Sequence, residues 1–120
     1  MTKLDDYFKD KPTSRKIFDQ LESEINNQGK SEIAIGSQIS FAVDRKFAWI
    51  WLYNVSKKNP EGTVQIQLAL GESRDLKSVY RVSKVGKSRW NHLVVVHNLT
   101  EAKSKQLAKL IAEAYEYGSA

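Results

Sequence analysis

Between Leu76 and Thr100 the chain has no Asp or Glu, yet it carries Lys77, Arg81, Lys84, Lys87 and Arg89, with Trp90, His92 and His97 close behind. These five cations equal the formal net charge of the whole protein, +5, so the remaining residues balance to zero and the basicity is local. Clustered cations repel one another unless an anion compensates them, and phosphates and carboxylates reward the arrangement. Arg81 and Arg89 could each hold such a group through two parallel hydrogen bonds. Lys84 and Lys87 would add point charges, and the Trp90 indole offers a flat surface for a base or a sugar. Arg81, Lys84, Lys87, Arg89, Trp90 and His92 therefore form the candidate ligand-binding set, suited to nucleic acid or a nucleotide-like, phosphate-bearing molecule. The competing reading is structural: Trp90 in the core, Arg81 paired with Glu72 or Asp75, and the other cations solvated on a loop.

Catalytic patterns are scarce. His92 and His97 are an odd number of positions apart, so on a continuous strand they face opposite sides and cannot share one ion. A zinc site would need more His, Cys or carboxylate ligands than this region provides. His92 could act alone as a general acid or base, since its ordinary pKa lies near neutrality, but a histidine at the start of a strand is more simply structural. The glycines are scattered as turn and cap residues, with no Gly-x-Gly-x-x-Gly or Walker-type loop and no Gly-x-Ser-x-Gly elbow. Asp44, Glu61, Glu72 and Asp75 fall in predicted turns and do not gather as magnesium ligands. No catalytic set, cofactor or metal site is predicted, and a binding domain is favoured over an enzyme.

A second aromatic feature is the run Phe47, Trp49, Trp51 and Tyr53, whose alternate spacing puts all four rings on one side of a strand. Such a ladder could stack bases, but the helices described below need an apolar sheet to cover. The ladder is therefore expected to be that core floor, with Gln65 and Gln67 on the opposite face, exposed or meeting another subunit.

The elements that must position these residues follow from periodicity. Residues 1–12, rich in Lys and Asp and ending at Pro12, read as an arm or short helix anchored by Tyr7 and Phe8. Residues 13–120 read as one α+β domain. Thr13 or Ser14 can cap a helix with Ile17, Phe18, Leu21 and Ile25 on one face and Gly29 as its stop. The period then falls to two. Ile33, Ile35, Ile39, Phe41 and Val43 alternate around Gly36-Ser37, as one bent strand or two short ones, and Asp44-Arg45-Lys46 is a turn before the aromatic strand. A loop from Asn54 to Gly62 leads to Val64, Ile66, Leu68 and Leu70, a strand buried on one face and wet on the other. Val79 to Val85 suggests a short strand, and Leu93 to Val96 is a strand core. Asn98 caps a last helix bearing Leu107, Leu110, Ile111, Ala114 and Tyr117. Strands grouped between two helices imply a two-layer α+β fold, with an antiparallel sheet of four or five strands and the N- and C-terminal helices packed on one face.

With 120 residues, 41% of them hydrophobic, the chain suits a single core. The absence of Cys removes disulfides and thiolate chemistry and fits a reducing cytoplasm. No apolar run approaches the roughly 20 residues that span a bilayer, and the polar opening Met1 to Asp6 does not read as a secretory signal. A cytoplasmic protein without membrane contact is expected.

From Ile17 to Tyr117 the chain resembles a family of small, largely bacterial domains of unknown function, found alone or at the C-terminal end of some predicted nuclease-like proteins. The resemblance rests on Ser37-Gln38-Ile39-Ser40-Phe41, Phe47-Ala48-Trp49-Ile50-Trp51, Arg81-Val82-Ser83-Lys84, Arg89-Trp90-Asn91-His92-Leu93 and Ala112-Glu113-Ala114-Tyr115-Glu116. Members often carry Thr-Lys where Ile35-Gly36 stands and His-His where Asn91-His92 stands. The resemblance implies a fold and a surface, and no activity. The expectation is thus a small domain that binds an anionic ligand through a basic, aromatic patch. The alternative is a protein-interaction or homodimerisation module that uses an open sheet edge or the Gln65 and Gln67 face.

Overall fold

The computed structural model describes residues 3–52, 62–77 and 79–119. In chain order they form α1 (Lys3–Tyr7), α2 (Pro12–Gln28), β1 (Glu32–Ile35), β2 (Ile39–Ala42), β3 (Lys46–Trp51), β4 (Val64–Leu70), β5 (Arg81–Val85), β6 (Arg89–Val96), α3 (Leu99–Ala102) and α4 (Lys105–Ser119). Among the described residues the strands make one six-stranded sheet in the order β1-β2-β3-β4-β6-β5, with every neighbouring pair antiparallel. The α+β arrangement of an antiparallel sheet with helices at both termini is as expected, with six strands instead of four or five. The additional strands arise because Gly36 to Gln38 reverses the chain as a hairpin, closed by the Gly36 N–H donating to Gln38 O, and because Arg81–Val85 pairs along its whole length.

Helix α2 starts with Pro12, whose missing N–H would have been unpaired there in any case. Neither Thr13 nor Ser14 caps it: Ser14 lies inside the first turn, and its hydroxyl donates to Gly62 O at 3.0 Å, tying the helix to the start of β4. Ile17, Phe18, Leu21 and Ile25 are fully buried, as their spacing requires. Gly29 ends the helix at φ +151°, a conformation that side chains rarely adopt. Phe8 is buried against Phe18, with ring centroids 5.0 Å apart, so the residue that follows α1 is part of the core. The predicted C-terminal helix is split. Asn98 Oδ1 accepts the Glu101 N–H at 2.9 Å and caps only the short α3, while Ser104 Oγ accepts the Leu107 N–H at 3.1 Å and starts α4.

The sheet has an inner face, covered by α2 and α4, and an outer face. Register decides which residue lies on which. Ile39 opposes Ile50, Ile50 opposes Ile66, Ala48 opposes Leu68, and Leu68 opposes His92, so these residues share the inner face. Ile39, Ile50, Ile66 and Leu68 form one core with Ile17, Phe18, Leu107, Leu110 and Ile111. The outer rows run Trp51, Gln65, Val95 and Ser40, Trp49, Gln67, Leu93, Arg81. The aromatic ladder is therefore not the core floor: Trp49 and Trp51 lie on the side away from the helices, on the same face as Gln65 and Gln67. Of the three rings of the ladder among the described residues, only Phe47 reaches the core. The register between β2 and β3 slips between Phe41 and Ala42, and this bulge re-aims Phe47 toward α4, where it meets Tyr115 with centroids 5.5 Å apart. Tyr53, the last ring of the ladder, lies outside the described residues, as does most of the loop predicted from Asn54 to Gly62. The outer side of β4 is also drier than expected. Gln65, between Trp51 and Val95, is only 7% exposed, because large neighbours on both flanking strands wall it in.

The strand order sends the connection from β4 to β5 across the inner face of β6, since β4 ends beside Trp90 and β5 starts beside Leu93 on the far side of that strand. This detour brings Arg74 against both His92 and Glu113. Among the described residues, no helix is long and apolar enough to cross a membrane.

Candidate functional site

The six candidate residues sit on one hairpin. β5 carries Arg81 and Lys84, the turn of Gly86, Lys87 and Ser88 follows, and β6 carries Arg89, Trp90 and His92. Gly86 has φ +76° and open space around it, as a tight hairpin turn demands. Pairing then divides the set between the two faces. Arg81 opposes Leu93 and Val85 opposes Arg89, which places both arginines on the outer face. Lys84 opposes Trp90 and Val82 opposes His92, which places Lys84, Trp90 and His92 on the inner side. Lys87 projects from the turn between them and is exposed. One shared pocket walled by Trp90 is thus not what the hairpin builds, because successive side chains on a strand point to opposite faces.

On the inner side the groups are engaged with one another. His92 is fully buried; its Nε2 accepts the Arg74 backbone N–H at 2.9 Å, which leaves Nδ1 as the protonated nitrogen, donating to Trp90 O at 3.0 Å. Burial drives its pKa below the ordinary value, the Arg74 cation pushes the same way, and the backbone contacts and Glu113 oppose them only in part. A neutral ring with both nitrogens occupied is an anchor for the β4 to β5 connection. The same connection is clamped by Arg74, whose guanidinium reaches Glu113 on α4 at 3.1 Å and Glu72 at 2.9 Å. Glu72 therefore serves Arg74 and not Arg81. Lys84 Nζ lies 5.3 Å from the centroid of the Trp90 ring, which accounts for both.

The outer face is different. Trp49 and Trp51 are half-buried there, and the Arg89 guanidinium lies 5.8 Å from the centre of the Trp49 ring. Among the described residues, Arg81, Lys87 and Arg89 take part in no ion pair. Among the described residues, no Asp or Glu occupies an outward strand position from β2 across to β5. Arg89 Nε and Asn91 Oδ1 are shut off from solvent and have no hydrogen-bond partner among the described residues. Sequence reasoning found Arg81 and Arg89 but missed that Trp49 and Trp51 accompany them. The available signal was that β3 is apolar at every position from Phe47 to Trp51, so one apolar side had to lie away from the helices. Nothing in the sequence singled out Asn91.

Two of the cavities among the described residues lie elsewhere. One, of about 330 Å³, opens between the end of β6 and α3, where His97 Nδ1 and Glu101 Oε1 are 2.8 Å apart beside Lys77, Tyr80 and Leu107. Burial raises the Glu101 pKa, but the side-chain and backbone hydrogen bonds from His97 outweigh it and hold the group below its ordinary value. The other, of about 320 Å³, lies along α4 between the Arg74–Glu113 pair and Lys109. Among the described residues no group of three or more His, Cys, Asp or Glu could hold a metal ion.

Neither the curated proteins nor the solved structures contain a match to this chain. A family model does match, over residues 4–118, and it covers the arm, the helices and all six strands. The chain belongs to the family described as Domain of unknown function (DUF5655).

Proposed function

We propose that this domain binds a phosphate-bearing ligand, single-stranded nucleic acid above all, on the outer face of its sheet. The observation that carries this reading is the sharing of one face by two indoles, Trp49 and Trp51, and two arginines without ion pairs among the described residues, Arg81 and Arg89. Aromatic rings on an open sheet stack bases, each stack contributing about 1 to 3 kcal/mol, and guanidinium groups beside them hold the backbone. Among the described residues, the absence of outward carboxylates on the strands from β2 to β5 keeps fixed negative charge off the path of a bound strand. Lys87, at the hairpin tip, extends the positive track beyond Arg89. Trp90 and His92 play no part, since both face the helix layer.

A labelled single-stranded oligonucleotide titrated with the protein at several salt concentrations tests this. Binding should weaken steeply with salt, by about 0.7 logarithmic units in affinity per unit of log salt for each phosphate engaged. The rival, a homodimer through the same face, would give an apolar interface whose association hardly responds to salt. Failure to bind any oligonucleotide, with a salt-insensitive dimer in sedimentation, would overturn the nucleic-acid reading.

A further inference from the structure

Resting on that reading, we propose that Arg89 and Asn91 read the edge of a base stacked on Trp49, and that the base they favour is cytosine. Buried polar atoms are nearly always hydrogen-bonded, and each exception in a folded protein calls for a cause. Here two exceptions occur together. Arg89 Nε is a donor without an acceptor and Asn91 Oδ1 is an acceptor without a donor, among the described residues, and Asn91 is only 8% exposed. The two residues are alternate positions of β6, so both side chains rise from the outer face, Asn91 in the row beside that of Trp49 and Arg89 one row further on, from which its guanidinium reaches back to the Trp49 ring.

The orphaned pair defines what would satisfy it. Arg89 Nε and the adjacent Nη form a fork of two parallel donors, and Asn91 Oδ1 adds one acceptor. The complementary ligand edge has two acceptors followed by a donor. Cytosine presents O2, N3 and its N4 amino group in that order along a single edge. Thymine places an N–H between two carbonyls and offers the fork no adjacent pair of acceptors. Adenine matches the amino group but has only one acceptor beside it. Guanine carries the right groups, but N7 and N1–H flank O6 on different edges. The movable part is the Arg89 side chain. Its guanidinium rests over the Trp49 ring, where a stacked base would lie. A base arriving on the indole displaces the guanidinium to its own rim, and that movement turns the fork toward O2 and N3.

The experiment uses the full chain and labelled oligo(dC), oligo(dA) and oligo(dT) of equal length at one moderate salt concentration. Oligo(dC) should bind roughly tenfold more tightly than oligo(dT), with oligo(dA) between them, as expected for loss of one bidentate contact. Asn91→Leu removes the orphaned acceptor without opening a cavity, and should erase most of the dC preference. Arg89→Lys keeps the charge but loses the fork, and should erase it as well, which gives a second test if either variant is poorly folded by circular dichroism. Equal affinity for the three oligomers, with steep salt dependence, would overturn base reading while leaving phosphate binding intact. Failure of all three to bind would overturn the underlying reading too.

Discussion

The Arg74 backbone N–H donates to His92 Nε2 at 2.9 Å, across 18 residues of chain, and this single bond pins the β4 to β5 connection to the floor of the sheet. His92 can accept it only while neutral. Its remaining nitrogen donates to Trp90 O, so protonation would have to break the Arg74 contact and bury a charge next to the Arg74 guanidinium.

The consequence is a pH dependence of stability. The folded-state pKa of His92 is lowered from 6.5, chiefly by burial, so below about that pH the unfolded chain takes up a proton that the folded one resists. The contribution is fully present above 6.5 and is lost as pH falls from there through the folded value. Thermal midpoints measured between pH 8 and pH 5 should decline below 6.5 in the wild type, and His92→Gln should flatten that part of the curve. Superimposable profiles would show that the ring does not titrate between the two states.

The two sides of β3 should respond differently to truncation. Ile50 is fully buried between the sheet and the helices, and Ile50→Ala should destabilise the fold by about 2 to 5 kcal/mol in urea. Trp51, its neighbour in sequence, is half-buried on the outer face, and Trp51→Ala should cost less despite removing a larger side chain. The reverse order would place the aromatic ladder in the core.

Gly29 and Gly36 make a matched pair of controls. At Gly29, with φ +151°, an added Cβ would collide with the hydroxyl of Tyr115, which donates to Lys30 O at 2.8 Å and ties the end of α2 to α4. Gly29→Ala should lower stability by about 1 to 3 kcal/mol. Gly36 has open space around it, and Gly36→Ala should change the urea midpoint little by comparison.

Arg81 and Lys84 lie three positions apart on β5 and on opposite faces of the sheet. If the outer face holds a nucleic-acid strand, Arg81→Ala should reduce the slope of log affinity against log salt by about 0.7, one phosphate contact, whereas Lys84→Ala should leave that slope unchanged. Equal effects of both substitutions would indicate a ligand at the hairpin edge instead of on the face.

Periodicity was enough to place α2, β4 and the buried stripe of α4, because these segments are apolar on one side only and can pack in only one way. It was not enough for β3. A strand apolar on both sides presents two candidate inner faces, Phe47, Trp49 and Trp51 or Ala48 and Ile50, and the larger rings suggested the wrong one. The decision was made by pairing, which sets Ile50 between Ile39 and Ile66 on the inner face and leaves the bulge at Phe41 and Ala42 to bring in Phe47 alone of that row, and pairing between strands leaves no mark in the spacing of β3 itself. His92 shows the same divide. Its place near the start of a strand was legible, but its anchoring partner is a backbone N–H on a distant connection.

The residues alone determined that a single run of chain holds the excess positive charge, that strands lie between terminal helices, and that one core suffices, since composition and local period carry that information directly. Which cations stand together was decided only in three dimensions. Alternation along β5 and β6 sent Arg81 and Arg89 to one side and Lys84, Trp90 and His92 to the other, and pairing of β3 with β4 and of β4 with β6 brought Trp49 and Trp51 to the arginines. Neighbourhood across a sheet depends on register between segments far apart in the chain, which no local pattern encodes.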